Sequence, residues 1–307
     1  MGLVESWGGN PFGWFLAHLI EAPVNLVLAL AQPGSWLNWS DPESLIRFIY
    51  YGASWELFFV LLVLFLVVTV CGMVWRPFMW GCVRVLEAFG NGVGRFFAWA
   101  GLLMVLQQIL IIFMQRVFAT SEIAIGLGAY FTKDVSWWSE ELKLYNAMVV
   151  CLCVAYTFIQ GAHVRVDLVY APISYRAKKI VDMFGSLVFM IPAAVLTYFY
   201  GWFFLWRHLV TPKLSASDAG KTLDSLLPKA RALRWNVETI GFSPNGFNAY
   251  FLFKILLVAF TVMVVIQAVA FFYRSYLELV EGPESEGRYL DRDSQETGIS
   301  EMAATDH

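Results

Sequence analysis

Apolar residues in this chain gather in long blocks separated by short polar linkers. Five blocks, at about 55–75, 96–118, 142–160, 181–206 and 249–273, each approach the roughly 20 residues that carry a helix across about 30 Å of hydrocarbon. Tryptophan marks their ends, with Trp55 and Trp75 on the first, Trp99 on the second, Trp137 and Trp138 before the third, and Trp202 and Trp206 closing the fourth. Such amphipathic rings sit at headgroup level. A sixth block, 12–31, has the length but contains His18, Glu21, Pro23 and Asn25. Glu21 would be costly against lipid, so this segment either packs that face against protein or lies along the interface. The pattern predicts an all-α, polytopic integral membrane protein with about six transmembrane helices, five of them from the first set of blocks, and interfacial helices between them.

Composition agrees, with 59% hydrophobic and only 15% charged residues and a mean hydropathy of +0.61. A net charge of -3, with no basic run and no Gly-rich phosphate loop, excludes nucleic acid as a partner and leaves membrane lipids as the surroundings. Positive charge near span ends favours the cytoplasmic side. Arg76, Arg84, Arg95, Arg165, Arg176, Lys178, Lys179 and Arg274 all fall on one side, which is read as cytoplasmic together with the C-terminus. The loop from Arg207 to Asn248 is also basic and falls on the other side, so charge alone does not fix the orientation.

Polar groups within the spans are few and mostly uncharged. Gly101, Gln108 and Gln115 recur every seven residues, a stripe of small and amide-bearing side chains suited to close helix packing and interhelical hydrogen bonds. Lys254 lies near a span end, from which it can reach outward. A self-sufficient carrier would carry ionisable residues deep in its spans or paired broken helices, and neither pattern is present. The histidines raise a second reading, a haem- or quinone-binding membrane anchor of a respiratory oxidoreductase. Against it, His163 and His208 fall at opposite ends of the spans, about a membrane thickness apart. No catalytic set, metal site or cofactor motif stands out, so the chain does not read as an enzyme.

Two stretches carry more information. SWWSEELKLYN, from Ser136 to Asn146, opens a span: Ser136 or Ser139 can cap the first turn, while Glu140 and Glu141 favour the positive end of the helix dipole. QGAHVRVDL closes the same span, with Gly161 weakening the helix and His163, Arg165 and Asp167 placed where the chain leaves hydrocarbon.

In this order and spacing the two stretches resemble the small membrane subunit, DctQ-like, of tripartite ATP-independent periplasmic (TRAP) transporters, over about residues 96–280. The resemblance implies a bacterial inner-membrane protein without a cofactor. It implies two partners, a large multispan TRAP permease subunit and a periplasmic substrate-binding protein. The small subunit would act as a scaffold for the large elevator-type subunit during sodium-driven uptake of organic acids. Glu140, Glu141, His163, Arg165 and Asp167 would then serve scaffold structure and subunit contact. Three segments follow: a membrane extension of one or two spans over 1–95, a four-helix small-permease domain over 96–280, and a disordered acidic tail over 281–307. The extension and the basic loop go beyond the usual small subunit, and Lys229, Arg231 and Arg234 in that loop are candidates for docking the binding protein.

Overall fold

Backbone amides in hydrocarbon have no water to bond, so a long apolar run closes its hydrogen bonds within itself as helix. The computed structural model of the chain describes residues 7, 9–125, 131–161, 172–218, 223–241 and 243–291, and helix dominates them. Among the described residues, five helices are long and apolar enough to cross a membrane: Pro11–Ala31, Trp55–Val74, Arg76–Arg116, Tyr175–Leu209 and Phe251–Glu281. The block 12–31 is thus one continuous helix in spite of Pro23, whereas the block 142–160 is interrupted at Cys153. The contacts divide the chain into two compact units, 1–75 with 198–238 and 76–197 with 239–307.

In the first unit, α1 (Pro11–Ala31) starts at Asn10, whose side chain accepts from the Phe12 amide, with Pro11 at a position that needs no N–H. After the short α2 (Gly34–Leu37), α3 (Pro42–Tyr51) is capped by Asp41, which accepts from the Glu43 and Ser44 amides. The next helix, α4 (Trp55–Val74), begins at a Ser54 cap. Small residues let α1 approach α4: Ala22 is buried with Phe59 and Val60, and Trp14 and Leu19 close over them. His18 lies among rings, 4.4 Å from Trp14 and 5.1 Å from Phe59 between centroids.

The extension and the basic loop meet in this unit. Trp202 Nε1 donates to the Ile49 carbonyl at 2.7 Å, and Tyr198 OH donates to the Gly52 carbonyl at 3.0 Å. Gly52 faces the Trp202 ring so closely that a Cβ there would overlap it. Beyond residue 209, strands β3 (Val210–Thr211) and β4 (Arg234–Trp235) pair antiparallel, and α10 (Leu223–Arg231, numbered in chain order) lies against α3. Tyr50 on α3 shares Asp218 with Lys229 on α10, so the two departures from the small-subunit pattern are packed as one body.

The second unit is organised by α5 (Arg76–Arg116), 41 residues and therefore about 60 Å long. The expected boundary at residue 95 falls inside this helix. A hairpin follows, β1 (Glu122–Ile125) paired with β2 (Phe131–Asp134), and then α6 (Val135–Leu152) and α7 (Val154–Ile159). At the break, Cys153 Sγ lies 3.3 Å from the Gly94 carbonyl. Gly94 abuts Tyr156, and a Cβ on Gly90 would lie 3.1 Å from Ala155 Cβ, so these glycines set the close crossing of α5 and α7. Next, α8 (Tyr175–Phe184) leads through a π-wound turn, Gly185–Met190, into α9 (Ile191–Leu209). The wide turn sits just before Pro192, which has no N–H for the regular ladder. The last helix, α11 (Phe251–Glu281), shares a core of Leu144, Leu152, Ala155, Phe247, Leu256 and Met263 with α6 and α7.

Three expectations shift. Gly101 is half-buried, with Val149 just within reach, while Gln108 and Gln115 face outward from the chain. Gln107, one position away, faces inward. Lys254 is buried rather than extended toward solvent, at 6% exposure. Residues 282–291, which acidic composition assigns to a free tail, turn back onto the helices; residues 292–307 lie outside the described ones.

Replacing Gly94 with Leu is expected to destabilise the protein by about 1–3 kcal/mol through overpacking against Tyr156. Gly92→Leu, at a position with open space around it, is the control. A thermal midpoint in detergent that falls equally in both variants would contradict this account of the α5–α7 contact.

Candidate functional site

The acidic helix start is built from three elements. Asp134, not Ser136 or Ser139, caps α6: its Oδ1 accepts from the Ser136 amide and hydroxyl, both at 2.7 Å. The Ser136 amide is the main cause that holds the Asp134 carboxyl below the usual carboxylate range. One turn on, adjacent carboxylates point about 100° apart on the helix and go to different partners. Glu141 Oε2 accepts from Gln107 Nε2 on α5 at 3.2 Å, and the same amide donates to the Trp138 carbonyl at 3.0 Å. Glu140 Oε2 accepts from the Phe247 amide at 2.9 Å, where Gly246 leaves room that any side chain would fill. The pair thus ties α5 and the segment before α11 to one helix turn. Beside it lies a polar cleft of about 920 Å³ between the hairpin and residues 239–248.

At the other end of the same helices stands a buried charge network. Arg274 on α11 grips Glu87 on α5 with two bonds of 2.6 Å, and these side chains are only 8% and 6% exposed. Glu278, one turn beyond Arg274, accepts from Lys179 of α8 at 2.6 Å and from the Gly287 amide at 3.2 Å. Lys179 also reaches Glu286 at 3.1 Å.

The strap 282–291 closes over this network. Gly282 and Gly287 turn it at φ of 92° and 71°, conformations that cost a side chain energy. Asp291 forms two bonds with Arg95, at 2.8 and 3.0 Å, while Asn91 and Gln160 donate to its carbonyl. Arg95, helped by Asn91, holds the Asp291 carboxyl below its ordinary range. Trp80 Nε1 donates to Glu281, and Arg84 lies 5.3 Å from the Tyr289 ring. Sequence reasoning missed this site, treating Arg84, Arg95, Lys179 and Arg274 only as orientation markers. Its signal was the spacing of Trp80, Arg84, Glu87, Asn91 and Arg95, three and four residues apart along one face of α5.

The structure brings Glu141 to Gln107 and Glu140 to the Phe247 amide, while Gln108 and Gln115 face outward. His163, Arg165 and Asp167 lie outside the described residues; the helix before them ends at Ile159, and Gly161 just past its cap turns the chain with φ 75°. In the first unit, Lys229 is held 2.6 Å from the buried Asp218, while Arg231 and Arg234 are exposed. Burial and the Asp218 charge raise the Tyr50 phenol well above its ordinary value, so it donates at neutral pH. His208 engages both ring nitrogens, Nδ1 with the Phe204 carbonyl at 2.9 Å and Nε2 with Glu238 at 3.4 Å.

Long apolar helices, packed through small residues and joined by charge at their ends, define a multi-pass, predominantly helical membrane protein. Within it, residues 123–217 match the family model described as tripartite ATP-independent periplasmic transporters, DctQ component, so this segment is similar to that family. The match spans Glu140, Glu141, His163, Arg165 and Asp167 and ends before Lys229. The family is one of transporter subunits, not enzymes. No curated protein and no solved structure matches the chain.

Glu87→Gln is expected to destabilise the protein by about 3–5 kcal/mol, because Arg274 would stay buried with its main partner lost. Replacing both residues with Met should cost much less, a difference that thermal unfolding of the two variants can resolve. The strap should respond to acid only late. A lowered carboxyl contributes stability above its unfolded value and loses it as pH falls through the depressed folded value, so the Asp291 contact should persist down through the ordinary carboxylate range. Hydrogen exchange of residues 282–291 that rises already near pH 6 would argue against this assignment.

Proposed function

We propose that this chain is the small scaffold subunit of a TRAP transporter in the bacterial inner membrane, with its C-terminus in the cytoplasm. In this reading it braces a large multispan subunit while that subunit imports organic acids, driven by sodium and delivered by a periplasmic binding protein. The observation that carries the reading is the DctQ match over 123–217, which includes a helix start whose carboxylates are occupied in joining helices. Glu140 and Glu141 are thereby scaffold residues, and His163, Arg165 and Asp167 are proposed contacts to the large subunit. Gln108 and Gln115 support the same picture, because amides turned toward hydrocarbon gain most when another helix bonds them. Gly101, on the same stripe, allows that helix to come close.

The basic loop is assigned to the binding protein. Its exposed Arg231 and Arg234 meet acidic groups of that protein, while Lys229 keeps the loop folded through Asp218. The extension over 1–75 supports docking by holding this loop.

Purification in mild detergent should retain a large multispan membrane protein with this chain; a chain that transports alone in proteoliposomes would sink the scaffold reading. Reversing charge at Arg231 and Arg234 together should weaken substrate-dependent uptake while the subunit pair still co-purifies. Each rim charge contributes mainly to association rate, so the loss should be larger at low salt. Uptake unchanged across ionic strengths would remove the docking role.

A further inference from the structure

In the first unit the basic loop returns to the end of α9 beside three tryptophans. Trp206 is buried, and Trp39 and Trp235 stand against it at 6.1 and 6.0 Å between ring centroids, 6.3 Å from each other. Both outer rings are half-exposed, at 43% and 48%. Trp235 is fixed through its backbone as well. It pairs with Val210 across β3 and β4, and the next residue, Asn236, donates from its amide to the Leu209 carbonyl at 2.9 Å and from its side chain to Thr211 Oγ1 at 3.0 Å. A ring held in this way loses little freedom when something binds to it.

Trp235 lines an open groove of about 520 Å³ together with Thr211, Pro212, Ala232, Arg234 and Asn236. Arg234 is the one charged residue among these, and no carboxylate lines the groove. The guanidinium is exposed and makes no hydrogen bond or ion pair among the described residues, and the same holds for Arg231. Lys213 and Lys229, by contrast, already face Glu238 and Asp218. The groove therefore joins an uncommitted cation to a rigid, half-covered aromatic surface. Tryptophan and arginine are the side chains on which binding energy concentrates at protein interfaces.

We propose that this groove is the anchor of a docking surface and takes a carboxylate and a neighbouring apolar side chain from an exposed acidic segment of a protein partner. The carboxylate accepts from Arg234, and the apolar side chain lies on Trp235 against Pro212 and Ala232. This rests on the assignment of the basic loop to the binding protein and adds a requirement to it. Docking by exposed charge alone fades as salt screens it, whereas an apolar anchor holds the complex after the charges are screened.

The test measures binding of the transporter's periplasmic binding protein to this chain with its large subunit, in phosphatidylcholine nanodiscs, at low and high salt. Trp235→Ala is expected to weaken binding about 30-fold at both, mainly through faster dissociation, as for loss of an interface hot spot. Arg234→Ala should weaken it less, and chiefly at low salt. Because Trp235→Ala also removes packing on Trp206, Ala232→Trp, which fills the groove from an exposed position and leaves the three rings in place, should give a similar loss. A loss in Arg234→Ala with Trp235→Ala and Ala232→Trp both unchanged overturns the anchor and leaves docking by charge standing. A wild-type complex that binds no binding protein removes the docking role and the anchor together. The other occupant is a lipid headgroup: retention of phosphatidylglycerol in native mass spectrometry that is lost in Trp235→Ala, while affinity for the binding protein is unchanged, gives the groove to the membrane and overturns the proposal.

Discussion

The bidentate grip of Arg274 on Glu87 sets the register of the two longest helices in the second unit. Helices that are apolar all round can slide or rotate against one another with little change in buried area. A planar guanidinium closed on a carboxylate tolerates neither motion, because a shift of one residue would leave two buried charges apart. Once α5 and α11 are fixed, Glu278 is placed for Lys179, α8 is drawn in, and the strap finds Arg95 and Asn91 already on one face. The ion pair therefore supplies specificity that the apolar surface cannot.

The same division of labour recurs further along the same helices with hydrogen bonds in place of a salt bridge. Gln107 meets Glu141, and Glu140 meets a backbone amide at Gly246–Phe247. Apolar packing in between, where Gly90 and Gly94 admit α7, supplies area and closeness. Polar contacts at both ends say which faces come together.

Much of this was legible in the amino-acid pattern, and the failures share a cause. Blocks long enough to cross hydrocarbon are visible because length and composition decide them, and the extra helix at 11–31 follows the same rule in spite of Pro23. Phase was harder. The seven-residue spacing of Gly101, Gln108 and Gln115 marks one face of α5, and it is Gln107, a neighbour 100° around the helix, that faces the chain's own core. A span apolar on every side gives no hydrophobic direction from which to choose between them. The break at Cys153 was hidden because hydropathy runs through it, and it rests on a close approach of the Gly94 carbonyl that only the fold provides. The strap was hidden by composition: acidic residues read as solvated until Arg95, Lys179 and the Gly287 turn supply their partners.

One helix joins both polar ends. Glu87 and Gln107 lie on the unbroken α5, with a rise of about 30 Å between them. A rod of that length makes the two polar contacts a single mechanical system. A tilt of α5 where it meets α6 would be carried to the end beneath the strap, so the two contacts cannot move independently of each other.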